Sequence, residues 1–244
     1  MIAVVDYGVG NLRSVSKALE HVGAQVTVTS DASVIESAGG VVLPGVGAFA
    51  HCMNNLAEAG LEGCVRAAAA STRPFLGVCV GMQILFEESD EFGRVPGLGI
   101  LPGRVRRFEP AAHDLKVPHM GWNELVVRNR APHLAGLDDG TRVYFVHSYY
   151  VETPEPSIIA TTTPYGVDFV SSAWRGNIFA TQFHPEKSQD AGLKILGNFA
   201  RLVEASEAGA DASGSGGVER EPVTTASSDR SAASAGLGTP AGKH

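Results

Sequence analysis

One repeated unit constrains the fold most: a short, wholly apolar run, a glycine turn, then a segment of helical period. Ile2–Asp6 passes through Gly8-Val9-Gly10 into Asn11–Val22, where Leu12, Val15, Ala18, Leu19 and Val22 recur at helical spacing. Val26–Thr29 reads as a strand. Val41–Leu43 is followed by a helical Ala48–Ala59 and a third helix, Leu61–Ala70. Phe75–Val78 runs into a helix over Gly81–Glu88. Strands apolar at every position have no solvent face, so they belong inside a parallel sheet covered by helices. Beyond residue 103 the pattern changes to strands joined by short turns. These are Arg104–Phe108, His119–Val127, Arg142–Val146, Ser148–Val151, Ser157–Thr162, Phe169–Trp174 and Asn177–Thr181, followed by a last helix, Gly192–Ala205. The expected fold is α/β: a mixed, mainly parallel sheet flanked by helices and extended by antiparallel strands.

Residues 1–203 read as one domain. From residue 204 to residue 244 the chain is mainly Ala, Gly, Ser and Thr and has no Phe, Tyr, Trp, Ile or Met. Such a segment buries too little apolar surface to offset its ordering entropy, so it is expected to be a disordered tail. A net charge of −7 without a basic stripe argues against nucleic-acid binding. No run approaches the length of a membrane span, and Ile2–Val5 follows Met1 with no basic leader, so a cytoplasmic location is expected. The three cysteines, Cys52, Cys64 and Cys79, form no disulfide framework. Gly8-Val9-Gly10 with Asp31 half-matches a dinucleotide fingerprint, but Arg13 occupies the third glycine position. There is no phosphate loop and no histidine pair at metal-ligand spacing, so neither a cofactor nor a metal is expected.

The sharpest chemical signal is Phe75-Leu76-Gly77-Val78-Cys79-Val80-Gly81-Met82-Gln83, an apolar strand entering Gly-x-Cys-x-Gly and then a helix. This is a nucleophile elbow with cysteine at its apex. The turn is tight, so Gly77 and Gly81 relieve crowding around it. The sulfur sits at a helix N-terminus, where the dipole and free N–H groups favour a thiolate. The N–H of Val80 can face an oxyanion. A nucleophilic cysteine needs a base and a group to orient that base. Phe183-His184-Pro185-Glu186-Lys187 supplies both at a strand end: His184 to move the proton, Glu186 to hold the other ring nitrogen. Leu43-Pro44-Gly45-Val46-Gly47-Ala48-Phe49 ends another buried strand in a glycine turn, which suits a second set of oxyanion donors at Val46 and Gly47. Cys52 and Cys64, with no such partners, read as structural.

These three motifs in this order resemble the class I (triad) glutamine amidotransferases. Asp6–Leu12, Pro44–Phe49, Pro118–Asn123, Tyr144–Tyr149 and His184–Ser188 narrow the resemblance to the glutaminase subunits of imidazole glycerol phosphate synthases. The resemblance covers residues 1 to about 203 and leaves out the tail; Val80 stands where that family usually has leucine. It implies a flavodoxin-like sheet, a thioester on Cys79, a glutamine pocket lined by Gln83, His147, Ser148 and Tyr149, and a heterodimer with a (β/α)8-barrel cyclase. Asn11, Met120, Trp122 and Lys187 are expected at that interface. Met120 and Trp122 alternate along one strand and so face one side. Two readings stay open at this point: a glutaminase serving another synthase, and a non-catalytic binding module on the same fold.

Overall fold

The structure, a computed structural model, describes residues 1–109 and 115–214. Its first half holds β1 (Ile2–Val5), α1 (Leu12–His21), β2 (Val26–Thr29), α2 (Ala32–Ser37), β3 (Gly40–Gly45), α3 (Phe49–Glu58), α4 (Glu62–Ala70), β4 (Phe75–Cys79) and α5 (Val80–Gln83). The second half adds β5 (Glu88–Ser89), β6 (Val95–Pro96), β7 (Arg104–Arg107), β8 (His119–Glu124), β9 (Val126–Val127), β10 (Arg142–His147), β11 (Tyr149–Glu152), β12 (Ile159–Tyr165), β13 (Val167–Arg175), β14 (Ile178–Thr181) and α6 (Gln189–Gly214).

The parallel core runs β2-β1-β3-β4-β14. β1, β3, β4 and β14 are buried at every position, as their unbroken apolar runs require. β13 pairs antiparallel with β14 and opens the expected antiparallel extension through β11 to β7; β5 then pairs parallel with β7 and antiparallel with β6. β8 and β10 depart from that expectation. They form a separate two-stranded ribbon in which Trp122 lies opposite Tyr144 and His119 opposite His147.

Three further elements differ from the sequence reading. The helix expected over Gly81–Glu88 is the single turn α5. The N–H groups of Gly97, Leu98, Gly99 and Ile100 bond the carbonyls of Glu87, Ile84, Phe86 and Leu85, which would otherwise accept the next helical bonds. α2 has no counterpart among the expected elements. Asp31 caps it by accepting from the Ser33 N–H at 2.9 Å, so the residue that mimics a nucleotide ligand is a helix cap. The last helix starts before Gly192 and runs through residues 204–214, which the composition assigns to a tail. Alanine and glutamate there are strong helix formers, and Glu207 reaches the Met1 ammonium at 2.6 Å. The rest of the expected tail lies outside the described residues. No described helix is long and apolar enough to cross a membrane.

Candidate active site

β3, β4 and β14 all end at the same edge of the sheet, and the three motifs ride on those ends. Cys79 has φ 55° and ψ −114°, a conformation a side-chain-bearing residue adopts only when the surroundings enforce it. They do so through close backbone approach. A Cβ on Gly81 would lie 1.9 Å from the Leu43 carbonyl oxygen, and one on Gly45 would lie 2.5 Å from the Gly81 nitrogen. The elbow and the Pro44–Gly47 turn therefore touch backbone to backbone. α5 begins at Val80, so the first N–H groups of that turn have no intrahelical acceptor. Tyr7, buried beside the elbow, donates its hydroxyl to the Pro44 carbonyl at 2.6 Å and fixes the start of the turn.

His184 arrives on the loop after β14. Phe183 is fully buried, a burial worth about 2–3 kcal/mol that anchors the loop. The His184 N–H donates to the Tyr144 carbonyl at 3.0 Å, and the Ser188 hydroxyl donates to the His184 carbonyl at 2.7 Å. His184 Nδ1 lies 2.8 Å from Glu186 Oε1, with both side chains buried. The Nε2 atom, also buried, has no hydrogen-bond partner among the described residues, which leaves it free for a reacting group. Burial pulls the His184 pKa down, but the Cys79 sulfur and the Glu186 carboxylate outweigh it and push the pKa up to about 10. A protonated imidazole at His184 is the state this favours.

Cys79, Val80, Val46, Gly47, Gln83, His147, Ser148, Tyr149, His184 and Lys187 all line one cavity of about 440 Å³. Glu186 stands behind His184. Asn11, Met120 and Trp122 do not line it. Met120 and Trp122 lie on β8 at 63% and 39% exposure, so neither is a core residue. Lys187 is exposed, its ammonium 6.0 Å from the centre of the Tyr144 ring, which meets Trp122 edge-on at 6.1 Å. Two contributors escape the sequence reading. Glu91 lines the cavity, buried, and its Oε2 accepts the Phe49 N–H at 2.6 Å. Gln182 donates from Nε2 to Cys79 Sγ at 3.8 Å. Cys52 and Cys64, buried free thiols, bond the carbonyls of Val46 and Leu61 at 3.4 and 3.1 Å.

Three other histidines carry a stability prediction. Burial lowers His119 and His133 to about 4 and His147 to about 3. Below about pH 6.5 the unfolded chain binds protons that these folded rings refuse. Stability is therefore expected to fall as pH drops from about 6.5 to 4, by up to about 1.4 kcal/mol per pH unit per ring. His184 acts with the opposite sign: its contribution is complete below about 6.5 and is lost as pH rises towards 10. Urea midpoints across pH 4–8 check this; a flat acid limb would contradict neutral buried rings.

An elbow cysteine with a buried His–Glu pair at the strand ends of an open α/β sheet is the arrangement of a cysteine-nucleophile hydrolase. Residues 3–202 match the family model for glutamine amidotransferase class-I. The imidazole glycerol phosphate synthase subunit HisH of Geobacter metallireducens is 52% identical over 203 residues, covering 82% of this chain and 97% of the relative. That of Nitrosomonas europaea is 56% identical over 206 residues, covering 81% and 96%. Among solved structures, a putative GMP synthase protein from Thermoplasma acidophilum aligns with a TM-score of 0.65 at 21% identity, over 86% of this chain and 96% of that one, a likeness of fold. The chain belongs to the class-I glutamine amidotransferases, and within them to the HisH family.

Proposed function

We propose that this chain is the glutaminase subunit of an imidazole glycerol phosphate synthase, producing ammonia for a cyclase partner. The observation that carries the chemistry is the meeting of Cys79 and His184 in one cavity. Glutamine enters with its side-chain amide over the elbow. Cys79 Sγ attacks the amide carbon, and the tetrahedral oxyanion is held by the N–H groups of Val80 and of the Val46–Gly47 turn, each worth about 3 kcal/mol. His184 Nε2 gives its proton to the departing nitrogen, the C–N bond breaks, and ammonia leaves a γ-glutamyl thioester. Water then attacks, passing a proton to His184; the C–S bond breaks and glutamate is released. Glu186 keeps the imidazole's Nδ1 occupied throughout. Gln83, His147, Ser148 and Tyr149 form the pocket wall, and the buried Glu91 carboxylate suits the α-ammonium of the substrate.

The partner is a (β/α)8-barrel cyclase, joined as a heterodimer over Asn11, Met120, Trp122 and Lys187 in the cytoplasm. The exposure of Met120 and Trp122 beside the cavity mouth supports this face: two large apolar side chains gain from being covered. Residues 1–203 are the catalytic domain, a boundary supported by the family match ending at residue 202.

Ammonia release from glutamine tests the reading in three settings: chain alone, chain with cyclase, and both with the phosphoribulosyl nucleotide substrate. A low basal rate that climbs at least tenfold in the third is expected, because the glycine turn can hold its N–H groups away from the oxyanion until partner and ligand favour the competent state. A flat profile with partner binding intact would overturn it in favour of a binding module.

A further inference from the structure

We propose that His119 and His147 are positioning residues: a one-directional hydrogen-bond relay through which the exposed ribbon strand β8 holds the wall of the glutamine cavity. The proposal rests on the glutaminase reading of that cavity.

The direction of the relay follows from groups whose polarity is fixed. His147 Nδ1 lies 2.8 Å from the Tyr149 carbonyl oxygen, which can only accept. Nδ1 therefore carries the proton, and in a neutral ring Nε2 is bare. That bare nitrogen lies 3.0 Å from His119 Nδ1, which must then be the donor. His119 Nε2 is in turn an acceptor, 3.3 Å from the Asn123 side-chain nitrogen. The orientation of the Asn123 amide is set independently: its Oδ1 accepts the Glu124 N–H at 2.8 Å, and its Nδ2 donates to the Pro164 carbonyl at 3.0 Å. Both ends are thus pinned by backbone groups, and each ring has one permitted tautomer. Burial, which favours neutral rings, agrees. His119 stacks between Phe145, at 4.9 Å, and Tyr165, at 3.9 Å, so it cannot swing out.

At the cavity end the same Tyr149 carbonyl accepts a second bond, from Gln83 Nε2 at 3.0 Å. Gln83 Nε2 also donates to Gln182 Oε1 at 2.9 Å, and Gln182 Nε2 points to Cys79 Sγ at 3.8 Å. At the other end β8 alternates, with His119 inward and Met120 and Trp122 outward. Whatever covers the outward face shifts the strand that carries the first ring. The relay then moves the carbonyl that sets Gln83.

Two measurements test this in the complex with cyclase and nucleotide. In ¹⁵N spectra of the imidazoles, both His119 and His147 should be protonated at Nδ1 and bare at Nε2, and adding the cyclase should shift both rings. His119→Phe keeps a stacked ring and removes the donor; it should raise KM for glutamine about tenfold while kcat stays within about twofold. His119→Asn, which restores a donor near the Nδ1 position, should recover most of the loss. An Nε2-protonated tautomer at either ring, no shift on adding the cyclase, or an unchanged KM in a folded His119→Phe would overturn the relay. If His119→Phe fails to fold, His119→Asn and the tautomer spectra still decide. Loss of glutaminase activity in the wild-type complex would instead sink the glutaminase reading, and the spectra would still report on the relay.

Discussion

Cys79→Ala is expected to lower glutamine turnover in the partner complex by about 10⁴-fold or more, to background. The sulfur is the group placed to form the thioester; without it, water would have to attack an amide directly. The variant should fold. The φ of 55° at this position strains alanine no more than cysteine, and the Gln182 contact it loses is long, at 3.8 Å. Glutamine should still bind, with a dissociation constant within about threefold, because Glu91, Gln83 and the oxyanion donors remain. The synthase reaction should return when ammonium salt replaces glutamine, since the cyclase step consumes only the product. Ammonia release, calorimetric glutamine binding and ammonium-supported product formation separate these claims. Residual turnover above about one per cent would show that Cys79 is not the nucleophile.

The second large effect is structural. Gly81→Ala places a Cβ 1.9 Å from the Leu43 oxygen, 2.9 Å from the Leu43 carbonyl carbon and 3.1 Å from that of Pro44. All three are backbone atoms of β3, a strand paired on both sides. No rotamer change relieves such a contact, so either the strand or the elbow must move by roughly an ångström or more. The expected cost is above about 4 kcal/mol, in the range of core disruption. Should the chain fold by displacing the elbow, the Val80 N–H leaves its place and turnover falls by about 10²-fold or more. Gly63→Ala is the control. It lies in α4 with nothing within 4 Å of the new Cβ, so it should be neutral or gain up to about 1 kcal/mol. Chemical denaturation of the pair measures the difference, and equal stability would mean that the elbow tolerates a side chain it has no room for.

What can be read without coordinates is whatever a short stretch of sequence determines by itself. The buried strands announce themselves by having no polar face. The cysteine elbow and His184-Pro185-Glu186 each place their chemistry within a few residues, so Cys79, His184 and Glu186 are legible. Glu91 is not. It stands in Glu87-Glu88-Ser89-Asp90-Glu91, where only the tertiary packing distinguishes the one carboxylate that turns inward. Gln182 is hidden similarly, because its partners Gln83 and Cys79 come from the far side of the sequence. The elbow helix reads too long because its carbonyls are claimed by a loop ten to fifteen residues away. The final helix reads too short because alanine counts both as a small residue in a disordered composition and as the best helix former. The separation of β8 and β10 into their own ribbon leaves no mark in their patterning.

The place of β14 in the sheet has a consequence for biosynthesis. It pairs with β4, yet it leaves the ribosome only after every other strand of the core and all of the antiparallel extension. Until residue 181 emerges, the open edge of β4 has no parallel neighbour, and at about 5–20 residues per second that wait lasts several seconds. On the proposed mechanism the nucleophile is made early and the base late, so a nascent chain that ends before residue 184 lacks the base. The same delay leaves an apolar strand edge uncovered on nascent chains that end between residues 79 and 178, an aggregation-prone state.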